Sequence, residues 1–222
     1  MRDCIFEFAK ICAETLPISG PIYEFGAFIV PGQEYDLHAL FKGKEYIGCD
    51  MREGKGVDRV LNLHKIDLPD NAAGAVLIFE TLEHVEYPHK AIEEAYRILK
   101  PGGIIVITSV LDFEIHDYPN DYWRFTPEAF ESLLKNFKMS FVGNAGISAF
   151  PHTIVGFAAK DAVIFTGEFE SKYRLWKEKW DYPGSIFKKF VKAVTPPIIK
   201  KLYYKIKNGN QNKNNEPKWR KG

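Results

Sequence analysis

Two apolar runs on either side of one amphipathic segment constrain the fold most strongly. Residues Gly74–Phe79 and Ile104–Thr108 are almost entirely apolar, which is typical of parallel strands buried on both faces of a sheet. Between them, Pro88–Leu99 has helical periodicity, and its apolar face consists of Ala91, Ile92, Ala95, Ile98 and Leu99. A strand–helix–strand unit of this kind predicts a right-handed crossover between parallel strands.

Further segments extend this alternation in both directions. Helices are predicted over Ile5–Leu16, Glu34–Phe41, Thr126–Phe137 and Phe165–Trp180, and a turn over Lys100–Gly103. Additional strands are predicted over Ile22–Gly26, Glu45–Cys49, Asp58–Leu61, Met139–Val142 and Thr153–Ala158. The last two lack a helix between them, so one should run antiparallel. The sequence therefore predicts an α/β fold: a Rossmann-like doubly wound, mostly parallel seven-stranded sheet with an antiparallel last strand.

Charge is distributed very unevenly along the 222 residues. From Ser185 onward there are eleven basic residues and one acid, a net +10, which leaves −9 for the preceding part of a chain whose formal net charge is +1. We therefore predict a domain over residues 1–160, a helical basic extension over 161–207 and a disordered basic tail over 208–222. The segment around Phe187 and Phe190 either lies on an anionic membrane or packs on the domain; both interpretations stay open.

Cysteine content and the N-terminal pattern bear on localisation. Cys4, Cys12 and Cys49 form neither a CxxC pair nor a metal-ligand pattern, so no metal is expected, and their sparse odd number suits a reducing compartment. The N-terminal segment lacks a secretory apolar core, and no apolar run is long enough to span a bilayer. The prediction is a cytoplasmic protein, with contact to the inner face of the membrane under the first interpretation of the tail.

Polar and flexible residues stand where two predicted strands end. Gly26 ends the first predicted strand and precedes a loop that contains Gly32, and Asp50 follows the second strand. In an open parallel sheet the ligand crevice lies at the carboxyl ends of the strands. A glycine there lets the backbone approach a ligand, and an acid can accept both hydroxyls of a ribose. Together these residues predict a nucleoside-binding crevice.

Longer motifs carry a family resemblance. Ala75–Val85 and Ala95–Gly103 resemble the fourth-to-fifth-strand region of class I S-adenosylmethionine-dependent methyltransferases, more narrowly the "methyltransferase type 11" group. Tyr46–Asp58 and Asp121–Pro127 support the resemblance, which extends over Tyr23–Phe137. It implies that the chain is a methyltransferase with S-adenosyl-L-methionine as its cofactor.

The resemblance also implies roles for individual residues. Glu24 and Gly26 would lie beside the methionine part of the cofactor, and Glu80 and Thr81 would flank the methionine and the transferred methyl group. Gly32 would be a further cofactor-binding residue in the first loop. Asp50 would hold the ribose, Met51 would pack on the adenine, and Asn62 and Leu63 would lie at the adenine edge. The first loop is bulkier than usual in the family, with Ala27–Pro31 between its two glycines, and Asn62 replaces an acid. A full GxGxxG motif is absent, which disfavours a dehydrogenase.

Catalytic candidates follow the fourth and fifth strands. Methyl transfer from a sulfonium mainly requires alignment, and a base helps only when the acceptor loses a proton. Candidate bases are Glu83, His84, His116 and Asp117. Asp117, Tyr118, Tyr122 and Arg124 are predicted to form the substrate pocket, with Arg124 suited to an acidic acceptor. The alternatives are a helix cap, a loop histidine with its own hydrogen bond, and aromatic lid packing.

The predicted function is methyl transfer to a small molecule or to a cell-envelope glycan or lipid-linked acceptor. No nucleic acid is expected as a partner, because the domain is negatively charged and no Asn-Pro-Pro-Tyr segment follows the fourth strand. Two rival hypotheses are a catalytically inactive methyltransferase-like binding module and a different nucleotide-binding enzyme. The sequence leaves open the acceptor, the methylated atom and the oligomeric state.

Overall fold

The computed structural model describes residues 1–30, 35–116 and 120–181 of the chain. Gly32, Asp117 and Tyr118, to which the sequence assigned site roles, lie outside the described residues, as do the basic tail and residues 182–207 of the basic extension. The described part belongs to one unit, Met1–Tyr182. None of its helices is both long and apolar enough to cross a membrane.

Seven strands of the described residues form one sheet. They are β1 (Ile22–Phe25), β2 (Tyr46–Asp50), β3 (Arg59–Val60), β4 (Ala73–Phe79), β5 (Leu99–Val110), β6 (Met139–Ile147) and β7 (Phe150–Ala159). Their order is β3-β2-β1-β4-β5-β7-β6. The first five pair in parallel, and β7 runs antiparallel to both β5 and β6. The predicted α/β sheet with an antiparallel last strand is confirmed.

Helices cover both faces of this sheet. They are α1 (Asp3–Thr15), α2 (Pro88–Ile98), α3 (Pro127–Leu134) and α4 (Gly167–Asp181). The core under α2 and α3 is separate from the core that α1 and α4 bury on the opposite face. Thr126 caps α3, since its hydroxyl accepts a hydrogen bond from the amide of Ala129.

The structure differs from the sequence prediction at two elements. The helix predicted over Glu34–Phe41 is a single 3₁₀ segment, Leu37–Phe41, which begins where the Asp36 side chain accepts a hydrogen bond from the His38 amide. The turn predicted over Lys100–Gly103 lies within β5 instead, because the Gly102 amide donates a hydrogen bond to the carbonyl of Lys160 just beyond β7. Gly102 still has the positive φ expected of a turn, at 78°.

Helix α4 is packed against α1 and lies within the same unit as the sheet. Phe169 and Trp176 are buried, and the Trp176 indole donates a 2.8 Å hydrogen bond to the carbonyl of Cys4. The ring of Phe8 on α1 contacts both of these aromatics. This packing fixes the start of α1, which reaches the carboxyl end of the sheet.

Candidate functional site

A cavity of about 520 Å³ lies at the carboxyl ends of β1, β2 and β4. Each predicted cofactor residue that the structure describes lines it: Glu24, Gly26, Asp50, Met51, Asn62, Leu63, Glu80 and Thr81. Glu83, His84, His116 and Tyr122 line it as well, whereas Arg124 does not. The crossover order of the strands therefore brings cofactor candidates and catalytic candidates into one hollow, as expected at a topological switch point.

Gly26 is required where the loops after β1 and β4 meet. Its φ is +89°, and a Cβ there would lie 2.0 Å from the Thr81 hydroxyl oxygen. That hydroxyl donates to the carbonyl of Phe79 at 2.9 Å, so it is fixed in place. The amides of Gly26 and Ala27 both donate to the carbonyl of Cys49, which ties the first loop to β2. The glycine thus permits close loop packing at the cavity wall.

Glycines in the loop after β2 make room for the bulky first loop. A Cβ on Gly54 would lie 2.2 Å from the Phe28 ring, and one on Gly56 would lie 2.4 Å from the carbonyl oxygen of Ala27. The amide of Ile29 in turn donates to the carbonyl of Lys55. Gly54 and Gly56 therefore leave the space that the bulky side chains and backbone of the first loop occupy.

Asp50 is buried at the end of β2 and is held by Arg52. The Arg52 amide and Nε both donate to Oδ1 of Asp50, at 3.0 and 3.2 Å. The Arg52 guanidinium lies over the Phe28 ring, 4.5 Å from its centre. Met51 beside it is 59% exposed at the cavity, an apolar surface suited to a flat ring. Both hydrogen bonds from Arg52 are therefore accepted by the same carboxylate oxygen of Asp50, Oδ1.

Asn62 lines the cavity and also stabilises the turn that follows β3. Its side-chain oxygen accepts a 2.8 Å hydrogen bond from the His64 amide and so fixes the turn after β3. Leu63 within that turn is buried. Where the resemblance expects an acid, the remaining side-chain group of Asn62 is an amide nitrogen, which donates hydrogen bonds, whereas an ionised acid only accepts them.

Two acidic side chains, Glu24 and Glu80, line the cavity. Glu24 accepts a 3.0 Å hydrogen bond from the Tyr46 hydroxyl, and burial raises the pKa of Glu24 to about 7. Glu80 follows β4 with a φ of +46° and forms an ion pair with Arg2, whose Nε lies 2.6 Å from Oε1. A strained backbone at a ligand cavity is a common feature of functional sites.

Glu83, His84 and His116 stand together at another part of the cavity wall. Glu83 is buried and accepts a 2.7 Å hydrogen bond from the Ser109 hydroxyl, while burial raises its pKa to about 7. Desolvation lowers the pKa of His84, whose Nδ1 is hydrogen-bonded to the carbonyl of Asn120. The two imidazole rings meet edge to face with centres 4.8 Å apart. These three predicted catalytic candidates are thus neighbours.

Arg124 has a different place from the one predicted, because all five of its N–H donors are engaged inside its own loop. They reach both carboxylate oxygens of Asp121 and the carbonyls of Phe113, Glu114 and Trp123. The amides of Tyr122 and Trp123 then donate to the carbonyl of Glu83. Arg124 therefore clamps the loop over the cavity instead of facing an acceptor. Asp121, the partner that makes this possible, was not singled out from the sequence.

Comparisons with known proteins agree with this geometry. Residues 37–107 match the family model of the methyltransferase domain. A probable S-adenosylmethionine-dependent methyltransferase of Mycolicibacterium smegmatis is 28% identical over 81 residues, which are 36% of this chain and 29% of that relative. This chain thus matches less than a third of that relative's length.

Solved structures show the same fold at low sequence identity. The 1,6-didemethyltoxoflavin-N1-methyltransferase of Burkholderia thailandensis, solved with S-adenosylhomocysteine, superposes with a TM-score of 0.56 at 17% identity, covering 72% of this chain and 79% of that one. A chain from the complex of the Haloferax volcanii Trm112 activator with its putative methyltransferase gives 0.54 at 16% identity, covering 73% and 92%. These comparisons show that the described part of this chain has the α/β fold of S-adenosylmethionine-dependent methyltransferases, as its sequence predicts, and that residues 37–107 resemble their methyltransferase domain.

Proposed function

We propose that this chain transfers a methyl group from S-adenosylmethionine to a small molecule or to a cell-envelope glycan or lipid-linked acceptor. The observation that carries the proposal is one continuous cavity that joins the Gly26–Asp50 end of the sheet to the Glu83–His84–His116 cluster. Its volume lies within the range of small-ligand sites. Cofactor and acceptor would meet between these two groups.

The cavity wall fits the cofactor in chemistry as well as in position. Asp50 would accept hydrogen bonds from the ribose hydroxyls, and Met51 and Leu63 supply apolar surface for the adenine. Glu24 and Glu80 place carboxylates where a ligand with an ammonium and a sulfonium would gain electrostatically. When bound, the cofactor supplies an electrophilic methyl group, and the protein's task is to align it with the acceptor.

The acceptor end of the cavity favours a small, partly aromatic or hydroxylated molecule. Phe113 and Tyr122 expose ring surface there, beside the polar cluster. The net charge of −9 before Ser185 disfavours a polyanion such as nucleic acid. These features support a small-molecule or glycan acceptor.

Titration calorimetry with S-adenosylmethionine, S-adenosylhomocysteine and NAD tests the cofactor half of the proposal. We expect the first two to bind and NAD not to bind. Asp50→Ala should weaken cofactor binding at least tenfold, because the ribose hydroxyls lose their acceptor. Asp70→Ala is the matched control, since Asp70 is an exposed acid outside the cavity. Unchanged affinity in Asp50→Ala would overturn the assigned role.

Membrane contact by the basic tail is a further proposal, and its residues lie outside the described ones. The supporting observation is the net charge of +10 from Ser185 onward. Co-sedimentation with vesicles of anionic lipid should pellet the full chain and leave a chain that ends at Pro183 in the supernatant. Equal pelleting of both would remove this proposal.

A further inference from the structure

The acceptor end of the cavity contains three side chains with metal-binding atoms. Glu83, His84 and His116 each offer one ligand atom, and these atoms all lie within 4.8 Å of one another. Glu83 is buried, and both histidines are partly exposed at the cavity wall. The residues come from the segment after β4 and the segment after β5, so the fold brings them together.

Hydrogen bonds at Nδ1 determine which ring nitrogen each histidine presents. His84 Nδ1 meets the carbonyl of Asn120, and His116 Nδ1 lies 3.1 Å from the carbonyl of Glu114 and 3.2 Å from a carboxylate oxygen of Asp121. Carbonyl and carboxylate oxygens can only accept, so Nδ1 must donate in both rings. In the neutral rings, Nε2 then carries the lone pair that a metal ion requires.

The groups behind these ligands are themselves rigidly held. The Asp121 side chain is only 2% exposed and is gripped by Arg124. The Ser109 hydroxyl donates to Oε2 of Glu83. A histidine that donates its second N–H to a carboxylate or a carbonyl is the usual support of a metal ligand, because it fixes both tautomer and ring orientation.

We propose that Glu83, His84 and His116 bind one divalent transition-metal ion. Two imidazoles and one carboxylate are a donor set typical of zinc and iron sites that keep coordination positions open for a substrate. Magnesium and calcium prefer sites made of oxygen ligands alone. The open positions would face the cavity, because all three residues line it.

The use of this ion in catalysis rests on the proposed methyl transfer. An acceptor hydroxyl that binds the ion would lose its proton to solvent more readily, since a bound cation lowers the pKa of its oxygen ligand. The oxygen then attacks the methyl carbon as the carbon–sulfur bond breaks, giving a methyl ether and S-adenosylhomocysteine. The site therefore favours hydroxyl-bearing acceptors such as catechols or sugars.

Cobalt(II) is the direct probe, because its visible absorption reports nitrogen and oxygen ligation. Co²⁺ titrated into the full chain should give a saturable visible spectrum at one ion per chain, and calorimetry should rank Zn²⁺ above Co²⁺ and both above Mg²⁺. His84→Ala and His116→Ala should each weaken Co²⁺ binding at least tenfold. His89→Ala is the matched control, because His89 is an exposed histidine on α2 that does not line the cavity, and it should bind Co²⁺ as the unaltered chain does.

A chain that gives no Co²⁺ spectrum, or variants at His84 and His116 that bind as tightly as the control, would overturn the proposal. Tighter binding of Mg²⁺ than of Co²⁺ would also overturn it. Thermal unfolding of each variant without metal shows whether the fold is retained. His116→Ala is expected to keep the fold, because the His116 side chain is partly exposed. Binding of S-adenosylhomocysteine is measured on the same samples, so loss of the cofactor site and loss of the metal site are recorded separately.

Discussion

Gly26 is the residue on which the geometry of the cavity wall depends most directly. Gly26→Ala should lower the free energy of unfolding by more than 2 kcal/mol, because positive φ costs about 1–2 kcal/mol and overpacking against Thr81 adds roughly 1–3 kcal/mol. The new Cβ would lie 2.0 Å from the Thr81 hydroxyl oxygen, so binding of S-adenosylhomocysteine should also weaken. Urea unfolding and calorimetry measure the two effects.

Gly102 separates the two causes. Its φ of +78° matches that of Gly26, but a Cβ there would meet nothing within 4 Å. Gly102→Ala should therefore show only the backbone cost of about 1–2 kcal/mol and unchanged ligand binding. Equal decreases in the free energy of unfolding of both variants would show that the contact between the new Cβ and Thr81 does not affect stability.

Glu24 makes stability depend on pH. Burial raises its pKa from 4.5 to about 7 in the folded chain. Between these values the folded state keeps a proton that the unfolded state has released, so the free energy of unfolding falls as pH rises through 4.5–7. The slope from one such group is at most about 1.4 kcal/mol per pH unit. Urea unfolding at pH 5, 6, 7 and 8 should show this slope reduced in Glu24→Gln.

Glu83 has a raised pKa for the same reason and keeps part of the slope in that variant. The difference between the unaltered chain and Glu24→Gln therefore isolates Glu24. Parallel stability curves for the two chains over this pH range would contradict the assignment.

Residues at strand ends were predictable, and residues joined by loop hydrogen bonds were not. Gly26 and Asp50 follow from the rule that parallel strands place their carboxyl ends together, and both line the cavity. The clamp role of Arg124 depends on five simultaneous hydrogen bonds, which no spacing in the sequence encodes. His84 and His116 were predicted as bases. That their candidate ligand atoms lie within 4.8 Å of each other and of Glu83 depends on the fold of the segment after β5, which the sequence pattern does not reveal.

At the level of elements, the longest apolar patterns were predicted best. Strand β4 and helix α2 match their predicted spans to within one residue, because continuous burial and helical periodicity are strong signals. Strand β5 was predicted too short, since its first residues include Pro101, Gly102 and Gly103. Those residues read as a turn locally, and only the partner strand reveals that they extend the sheet.

Helix α4 stabilises the unit through its aromatic face against α1. Trp176 is 3% exposed and Leu175 beside it is 67% exposed. Trp176→Ala should lower the free energy of unfolding by about 3–5 kcal/mol, because it leaves a large cavity beside Phe8 and removes the hydrogen bond to Cys4. Leu175→Ala should change it by less than about 0.5 kcal/mol. Similar urea midpoints for the two variants would contradict this packing.

On the scale of the whole unit, ligand binding at any part of the cavity is coupled to folding. The cavity is built from the ends of β1, β2 and β4 and from the loop clamped by Arg124, all within Met1–Tyr182. A ligand that binds only the folded state raises the free energy of unfolding according to its concentration and affinity, by about 2.7 kcal/mol at a hundredfold excess over Kd. The increase in melting temperature therefore measures binding at both the proposed cofactor site and the proposed metal site in the same experiment.

Two single substitutions should separate those ends in opposite ways. Asp50→Ala removes the proposed ribose acceptor, so it should reduce the melting-temperature increase from S-adenosylhomocysteine and keep the increase from Co²⁺. His116→Ala should do the reverse, because its imidazole belongs to the proposed metal site, whereas Asp50 is hydrogen-bonded to Arg52 at another part of the cavity wall. Differential scanning calorimetry of both variants with each ligand measures this. If either substitution removed both increases, the cofactor and the ion would share one binding determinant, contrary to the separate placement of these residues.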